Sequence, residues 1–242
     1  MTALSVNLNK LALLRNSRGH NYPDLGFYAR RFIELGAHGL TIHPRPDERH
    51  IKQQDARDLA LLLKDFPAIE FNIEGYPSEA FLQLVEECRP TQCTLVPDTE
   101  TQLTSDHGWD FTRQLDMLRP LIVRLKKSAI RVAVFLDPDP EQISLAGQSG
   151  ADRIELYTEA YCRQHDTDSS AEVLTRYREA AVQAQALGLG VNAGHDLNLK
   201  NLPDFLSIPD ILEVSIGHAL TIECIDQGIE KVVAQYLRIC KN

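Results

Sequence analysis

At 242 residues, 43% hydrophobic and 24% charged, the chain has an ordinary globular composition and enough length to bury a full core. Its net charge of -9 argues against a general nucleic-acid or anionic-membrane surface, and no window approaches the roughly 18 apolar residues of a membrane helix. Five cysteines without a Cys-x-x-Cys pair argue against a disulfide framework or zinc ribbon, and for a reducing, cytoplasmic setting.

Short apolar runs alternate with amphipathic stretches along the chain. Residues 4–7 predict a first strand, followed by Asn7, Asn9 and Lys10, with Arg15 and Arg18 further on. A helical pattern over 24–35 leads through Gly36 to a second strand at 39–43. That strand runs into Thr-Ile-His-Pro-Arg-Pro-Asp-Glu-Arg-His at 41–50, where Pro44 and Pro46 end regular structure. His43, Arg45, Arg49 and His50 thus stand on a stiffened basic loop, suited to holding anions and moving protons; Arg49 is expected to pair with Asp47 or Glu48.

A helix over 54–63 and a strand over 69–74 follow, the latter closed by Glu74, which strand alternation places either in solvent or inward. Inward, the carboxyl would have a raised pKa and serve as a base. After a helix at 78–88 and a strand at 92–97 comes a long loop, 98–110, carrying Thr104. Further helices are expected at 111–127, 141–148 and 171–187, and strands at 130–137, 152–156, 190–193 and 211–215. Glu155 falls near the end of the sixth strand, free to pair with Arg153 or another cation. His195 follows the seventh in Asn-Ala-Gly-His, where Gly194 is expected to supply the turn. Gly217 and His218 follow the eighth, at a helix N-terminus able to bind phosphate, and a single helix is expected over 222–240.

Eight strands with helical segments between them predict one (β/α)8 barrel domain over 1–242, with room for extra short helices. An open doubly wound sheet is the alternative, but the Gly-x-Gly-x-x-Gly turn it usually carries is absent. In a barrel, the candidates named above share one rim. The histidines and Glu74 lack the close spacing of common zinc motifs, so no metal is expected.

Several segments in order resemble the pyridoxine 5′-phosphate synthase family: Ser-Val-Asn-Leu-Asn-Lys, Leu-Arg-Asn-Ser-Arg-Gly, the 41–50 stretch, Phe-Asn-Ile-Glu, Thr-Leu-Val-Pro-Asp, Ile-Glu-Leu-Tyr-Thr, Val-Asn-Ala-Gly-His and Ser-Ile-Gly-His-Ala. The resemblance implies a (β/α)8 barrel that condenses 1-deoxy-D-xylulose 5-phosphate with 3-amino-2-oxopropyl phosphate. The products are pyridoxine 5′-phosphate, inorganic phosphate and water, and no cofactor is implied. By matching positions it makes His43 and Glu74 acid/base residues, His195 a further proton donor and Glu155 a transition-state stabiliser. Asn7, Arg18, Gly217 and His218 match contacts to the amino-ketone phosphate; Arg45, His50 and Thr104 match contacts to the deoxyxylulose phosphate. The family's octamers, built from dimers, imply a homo-oligomer in which Arg18 reaches a neighbouring site.

The chain departs from the family in having Asn9-Lys10 where Asp-His is common, which suits these two to substrate binding rather than proton transfer. Asp196 and Glu159 stand where glycine is usual; Asp196 is grouped with the substrate-binding residues, although a carboxylate beside a phosphate must point away or pair with a cation. Two other readings are a phosphosugar aldolase or isomerase, which would want a buried Schiff-base lysine, and a non-catalytic barrel that binds a vitamin B6 phosphate.

Overall fold

Runs such as Leu40/Ile42, Ile154/Leu156 and Val214/Ile216 alternate with polar or small residues, and each of these apolar side chains is almost fully buried. That period of two fits strands whose apolar face is covered by helices. In the computed structural model, which describes residues 1–98, 102 and 104–241, the strands close a parallel barrel in sequence order. They are β1 Ala3–Asn7, β2 Gly39–Ile42, β3 Glu70–Gly75, β4 Gln92–Leu95, β5 Arg131–Leu136, β6 Arg153–Tyr157, β7 Gly190–Gly194 and β8 Ile211–Ile216. The closing pair, β1 with β8, runs in register from Ala3 opposite Glu213 to Val6 opposite Ile216.

The helices are α1 Asn9–Asn16, α2 Leu25–Glu34, α3 Gln53–Leu62, α4 Glu79–Cys88, α5 Phe111–Lys127, α6 Pro140–Ala146, α7 Glu159–Gln164, α8 Ser170–Ala186, α9 Leu202–Phe205, α10 His218–Gln227 and α11 Ile229–Lys241. Their starts follow local chemistry. Asp24 accepts the Phe27 N–H at 2.8 Å, Ser78 accepts that of Phe81 at 3.3 Å, and Asp139 caps α6 ahead of Pro140. The helix expected over 222–240 is two: Gly228, at φ 88°, ends α10 by donating its N–H to the Cys224 carbonyl, and α11 starts afresh. Helices α1, α7 and α9 are extra short helices, whose positions the apolar spacing does not give; α1 means that Asn9 and Lys10 head a helix rather than lie in a loop. All five cysteines are free thiols, and no described helix is long and apolar enough to cross a membrane.

The main core lies between strands and helices, and the lumen is polar. Its floor holds Glu70, Gln92, Arg131, Arg153, Asn192 and Glu213 in one network. Gln92 Oε1 accepts from Arg131 Nε at 2.9 Å and from Asn192 Nδ2 at 3.2 Å, and Gln92 Nε2 donates to Glu213. Arg131 pairs with Glu70, and Arg153 Nη1 reaches Asn192 Oδ1 at 3.0 Å and Glu213 at 3.5 Å. Above it Ser5, Thr41, Asn72 and Thr94 form a second polar tier. Val96, Phe135 and Tyr157 then make a small apolar cluster apart from the main core, and with that tier they support the site.

Candidate active site

The carboxyl-terminal ends of the strands gather most of the candidates. Glu74 follows Asn72 on the inward alternation of β3, half-buried, and forms no hydrogen bond with any described residue. Burial, followed by the nearby Glu155, Asp98 and Glu213 carboxyls, holds its pKa well above the ordinary carboxylate value. A carboxyl whose pKa is raised in this way holds its proton more tightly than a free one, which suits Glu74 to acid/base work.

Glu155 lies deeper and is 3% exposed. It does not pair with Arg153; it accepts from Thr94 Oγ1 at 3.3 Å, and burial together with Glu213 raises its pKa to about 8. Gly194 stands directly above it, and a Cβ there would lie 2.4 Å from Glu155 Oε1. The glycine thus makes room for the carboxyl and is not the residue that turns the chain. The turn is made by His195 and Asp196, at φ 88° and 59°.

His43, 6% exposed at the end of β2, is the counterpart of Glu74. Burial, then Arg45, His50 and Arg49, push its pKa well below the ordinary imidazole value, so the neutral ring with a free nitrogen lone pair is favoured. Its backbone N–H donates to Asn9 Oδ1 at 2.9 Å, and Asn7 Oδ1 in turn accepts the Asn9 N–H at 3.0 Å. Asn9 thus supports the His43 main chain, a link that spacing along the chain does not reveal. The His50 ring lies 6.2 Å from that of His43. His50 Nδ1 accepts the Ile51 N–H, and burial with Arg45 and Lys10 lowers its pKa to about 4.

Arg45 is buried and doubly held, by an ion pair to Asp98 and by donation to the Gln102 carbonyl at 2.9 Å. Arg49 pairs with Asp47 at 2.6 Å and donates to the same carbonyl at 3.0 Å. These contacts join the loop after β4 to the loop after β2. Residues 99–101 and 103 of that long loop lie outside the described residues. Its far end is fixed by Trp109, whose indole N–H donates to the Leu95 carbonyl at 2.8 Å. Asp98 was not singled out from sequence, although it closes the quoted Thr-Leu-Val-Pro-Asp. It also accepts from Ser105, and its Oδ1 is buried without a hydrogen-bond partner among the described residues.

On the opposite side, His195 stands edge-on to Tyr157 with ring centroids 4.9 Å apart. Its Nε2 lies 3.1 Å from Thr104 Oγ1 and its Nδ1 3.1 Å from Asp196 Oδ2. Lys10 and His218 both stand close enough to help depress the Asp196 pKa, after the hydrogen bond from His195 itself. Gly217 precedes α10, and a Cβ there would come within 3.0 Å of Asn7 Cβ, so glycine is needed where β1 and β8 bring the two residues together. Arg18 is the exception: it is exposed past α1 and makes no side-chain hydrogen bond or ion pair with the other candidates. Among the described residues, no three His, Cys, Asp or Glu side chains group as a metal set.

A family model described as "Pyridoxal phosphate biosynthesis protein PdxJ" matches residues 4–242. Among curated relatives, the chain is 50% identical to the pyridoxine 5′-phosphate synthase of Brucella anthropi, over 97% of both chains. It is also 50% identical to that of Mesorhizobium japonicum, over 98% of both. Among solved structures, phosphoribosylanthranilate isomerase from Thermotoga maritima superposes with a TM-score of 0.61 at 13% identity, covering 100% of this chain and 99% of that one. A tryptophan synthase α-subunit mutant from Pyrococcus furiosus gives 0.63 at 10% identity, covering 99% and 98%; such likenesses speak to the barrel alone. With a matching family model and half-identical relatives along nearly its whole length, the chain belongs to the PdxJ family.

Proposed function

We propose that this chain, as one barrel domain, is a pyridoxine 5′-phosphate synthase that closes the pyridine ring from 1-deoxy-D-xylulose 5-phosphate and 3-amino-2-oxopropyl phosphate. The observation that carries the reading is the pair of buried strand-end groups at the barrel mouth, Glu74 with its pKa held above the ordinary carboxylate value and His43 with its pKa held below the ordinary imidazole value. Ring closure needs a proton removed at one carbon and delivered to a departing oxygen in the same enclosure, and two groups with pKa values pushed apart supply both at neutral pH. His195 serves as a second donor for the loss of water, and Glu155, below the ring, steadies developing positive charge once ionised. Arg45, His50 and Thr104 are assigned to the deoxyxylulose phosphate; Asn7, Gly217 and His218, with the free N–H groups at the start of α10, to the amino-ketone phosphate. Lys10 adds a cation between these sites.

The aldolase reading is less well supported, since Lys10 heads α1 and does not stand on a strand's inner face. Mixing the protein with both acyclic phosphates should release inorganic phosphate and develop pyridoxine phosphate absorbance; binding without either product would favour a non-catalytic barrel.

We also read the chain as a cytoplasmic homo-oligomer, an octamer built from dimers. Tyr22, Phe27 and Ile225 are 73%, 62% and 71% exposed beside a groove of about 400 Å³ lined by α1, α2 and α10. A second copy seated there would cover this apolar surface, and Arg18, exposed on the adjoining turn, is assigned to a neighbour's site in that assembly. Tyr22→Asp with Ile225→Asp should lower the solution mass measured by light scattering; an unchanged mass would remove this face from the assembly.

A further inference from the structure

The turn after β7 is built at a cost. His195 and Asp196 both occupy the left-handed region, at φ 88° and 59°, where each non-glycine residue stores strain of about 1 kcal/mol or more. Two anchors hold it. Thr158 Oγ1 donates to the carbonyls of Gly194, at 2.8 Å, and His195, and Asn201 Nδ2 donates to the Asp196 carbonyl at 3.2 Å. The held conformation brings two adjacent side chains together, with Asp196 Oδ2 3.1 Å from His195 Nδ1, while Nε2 points to Thr104. An ionised carboxylate has no proton to give, so the proton in the first contact belongs to Nδ1. Nε2 is left as the nitrogen that exchanges protons, with the Thr104 hydroxyl as its resting partner.

We propose that Asp196 is a positioning residue for His195: it fixes the imidazole in the Nδ1–H tautomer and directs every proton exchange through Nε2. The proposal rests on the reading of His195 as a proton donor in ring closure. His195 Nε2 first takes up a proton that an earlier step of the condensation releases from substrate carbon, giving the imidazolium. When a C–O bond then breaks in the dehydration, the departing oxygen takes that Nε2 proton and leaves as water, and the ring returns to the neutral Nδ1–H form that Asp196 holds. Tyr157, edge-on at 4.9 Å, limits the rotation that would swap the two nitrogens. This separates Asp196 from the substrate contacts. A carboxylate that accepts from the imidazole and stands near Lys10 and His218 has its charge compensated within the chain, and needs no phosphate beside it.

Both test substitutions suit φ 59°, because asparagine and glycine populate that region readily. Asp196→Asn keeps the shape, but its amide N–H can donate to Nδ1; Asp196→Gly removes the acceptor. Long-range proton–nitrogen NMR on histidine-labelled protein, with the His195 signal identified by its loss in His195→Gln, should show the Nδ1–H tautomer in the unsubstituted protein. In Asp196→Gly the Nε2–H form preferred by an unconstrained histidine side chain should dominate, and Asp196→Asn should give a mixture. For both variants kcat should fall about ten-fold while KM for each substrate stays within about two-fold, the pattern of a lost orienting partner. An unchanged tautomer in both variants overturns the proposal, as does a raised KM at constant kcat, which would make Asp196 a substrate contact. Full turnover in His195→Gln would overturn the underlying reading of His195, and the tautomer measurement, which involves no turnover, tells that failure apart from failure of the proposal itself.

Discussion

The floor and the mouth of the barrel are lined by the same kinds of residue, yet their bonding differs. On the floor, Gln92, Arg131, Arg153, Asn192, Glu70 and Glu213 form a network in which each side chain has partners among the others. At the mouth, Glu74 has no hydrogen bond to a described residue, Asp98 keeps an orphaned oxygen, and two adjacent non-glycine residues sit at positive φ. Satisfied buried polar groups rigidify a fold; unsatisfied or strained ones cost stability and persist where chemistry requires them. The contrast separates scaffold from site more sharply than residue type does.

The strongest way to break the comparison is Glu74→Gln. It should lower phosphate release about a thousand-fold, the scale of a lost acid/base group, while leaving substrate binding by calorimetry and the urea midpoint nearly unchanged. Near-normal turnover would take Glu74 out of the mechanism. The floor should respond in the opposite sense. Gln92→Leu strands donors on Arg131 and Asn192 and takes one from Glu213, so stability should fall by about 3 kcal/mol in urea unfolding, while kcat of the folded fraction stays within about two-fold.

Gly194→Ala tests where the two regions meet. Its methyl would displace Glu155 from Thr94, and kcat should drop about ten-fold for a stability loss of about 1 kcal/mol; equal losses in both would make Gly194 a packing residue only. The smallest effect is a pH slope. Glu155 binds its proton more tightly folded, at about 8, than at the ordinary value of 4.5. Its contribution to stability is therefore complete below the ordinary value and is lost as pH rises through about 8, at up to about 1.4 kcal/mol per pH unit. Urea midpoints across that window should fall less steeply for Glu155→Gln than for the unsubstituted protein; parallel slopes would show that Glu155 titrates normally.

All eight strands were legible to within two residues, because their outward faces are nearly continuous apolar runs that helices cover, as in Leu40/Ile42 and Val132/Val134. The break at Gly228 was not, since apolar spacing continues across it from α10 into α11 and only the backbone angle interrupts the helix. His43, Glu74 and His195 could be placed at strand ends from sequence. The directions in which the pKa values of His43 and Glu74 move could not, because they depend on burial and on partners far away in the chain, such as Glu213 for Glu74. The role given to Gly194 shows the same limit. A glycine before a histidine suggests a turn, but the reason for this one lies in a carboxyl on the neighbouring strand, β6.

The polar lumen has a thermal consequence. Heat capacity of unfolding grows with apolar surface exposed and shrinks with polar surface exposed. Side chains such as Gln92, Thr94, Glu155, Asn192 and Glu213, which are almost wholly enclosed, release polar area when the barrel opens. Relative to a barrel of equal length whose lumen is filled with valine and isoleucine, this protein should unfold with a smaller heat-capacity increment and a flatter dependence of stability on temperature.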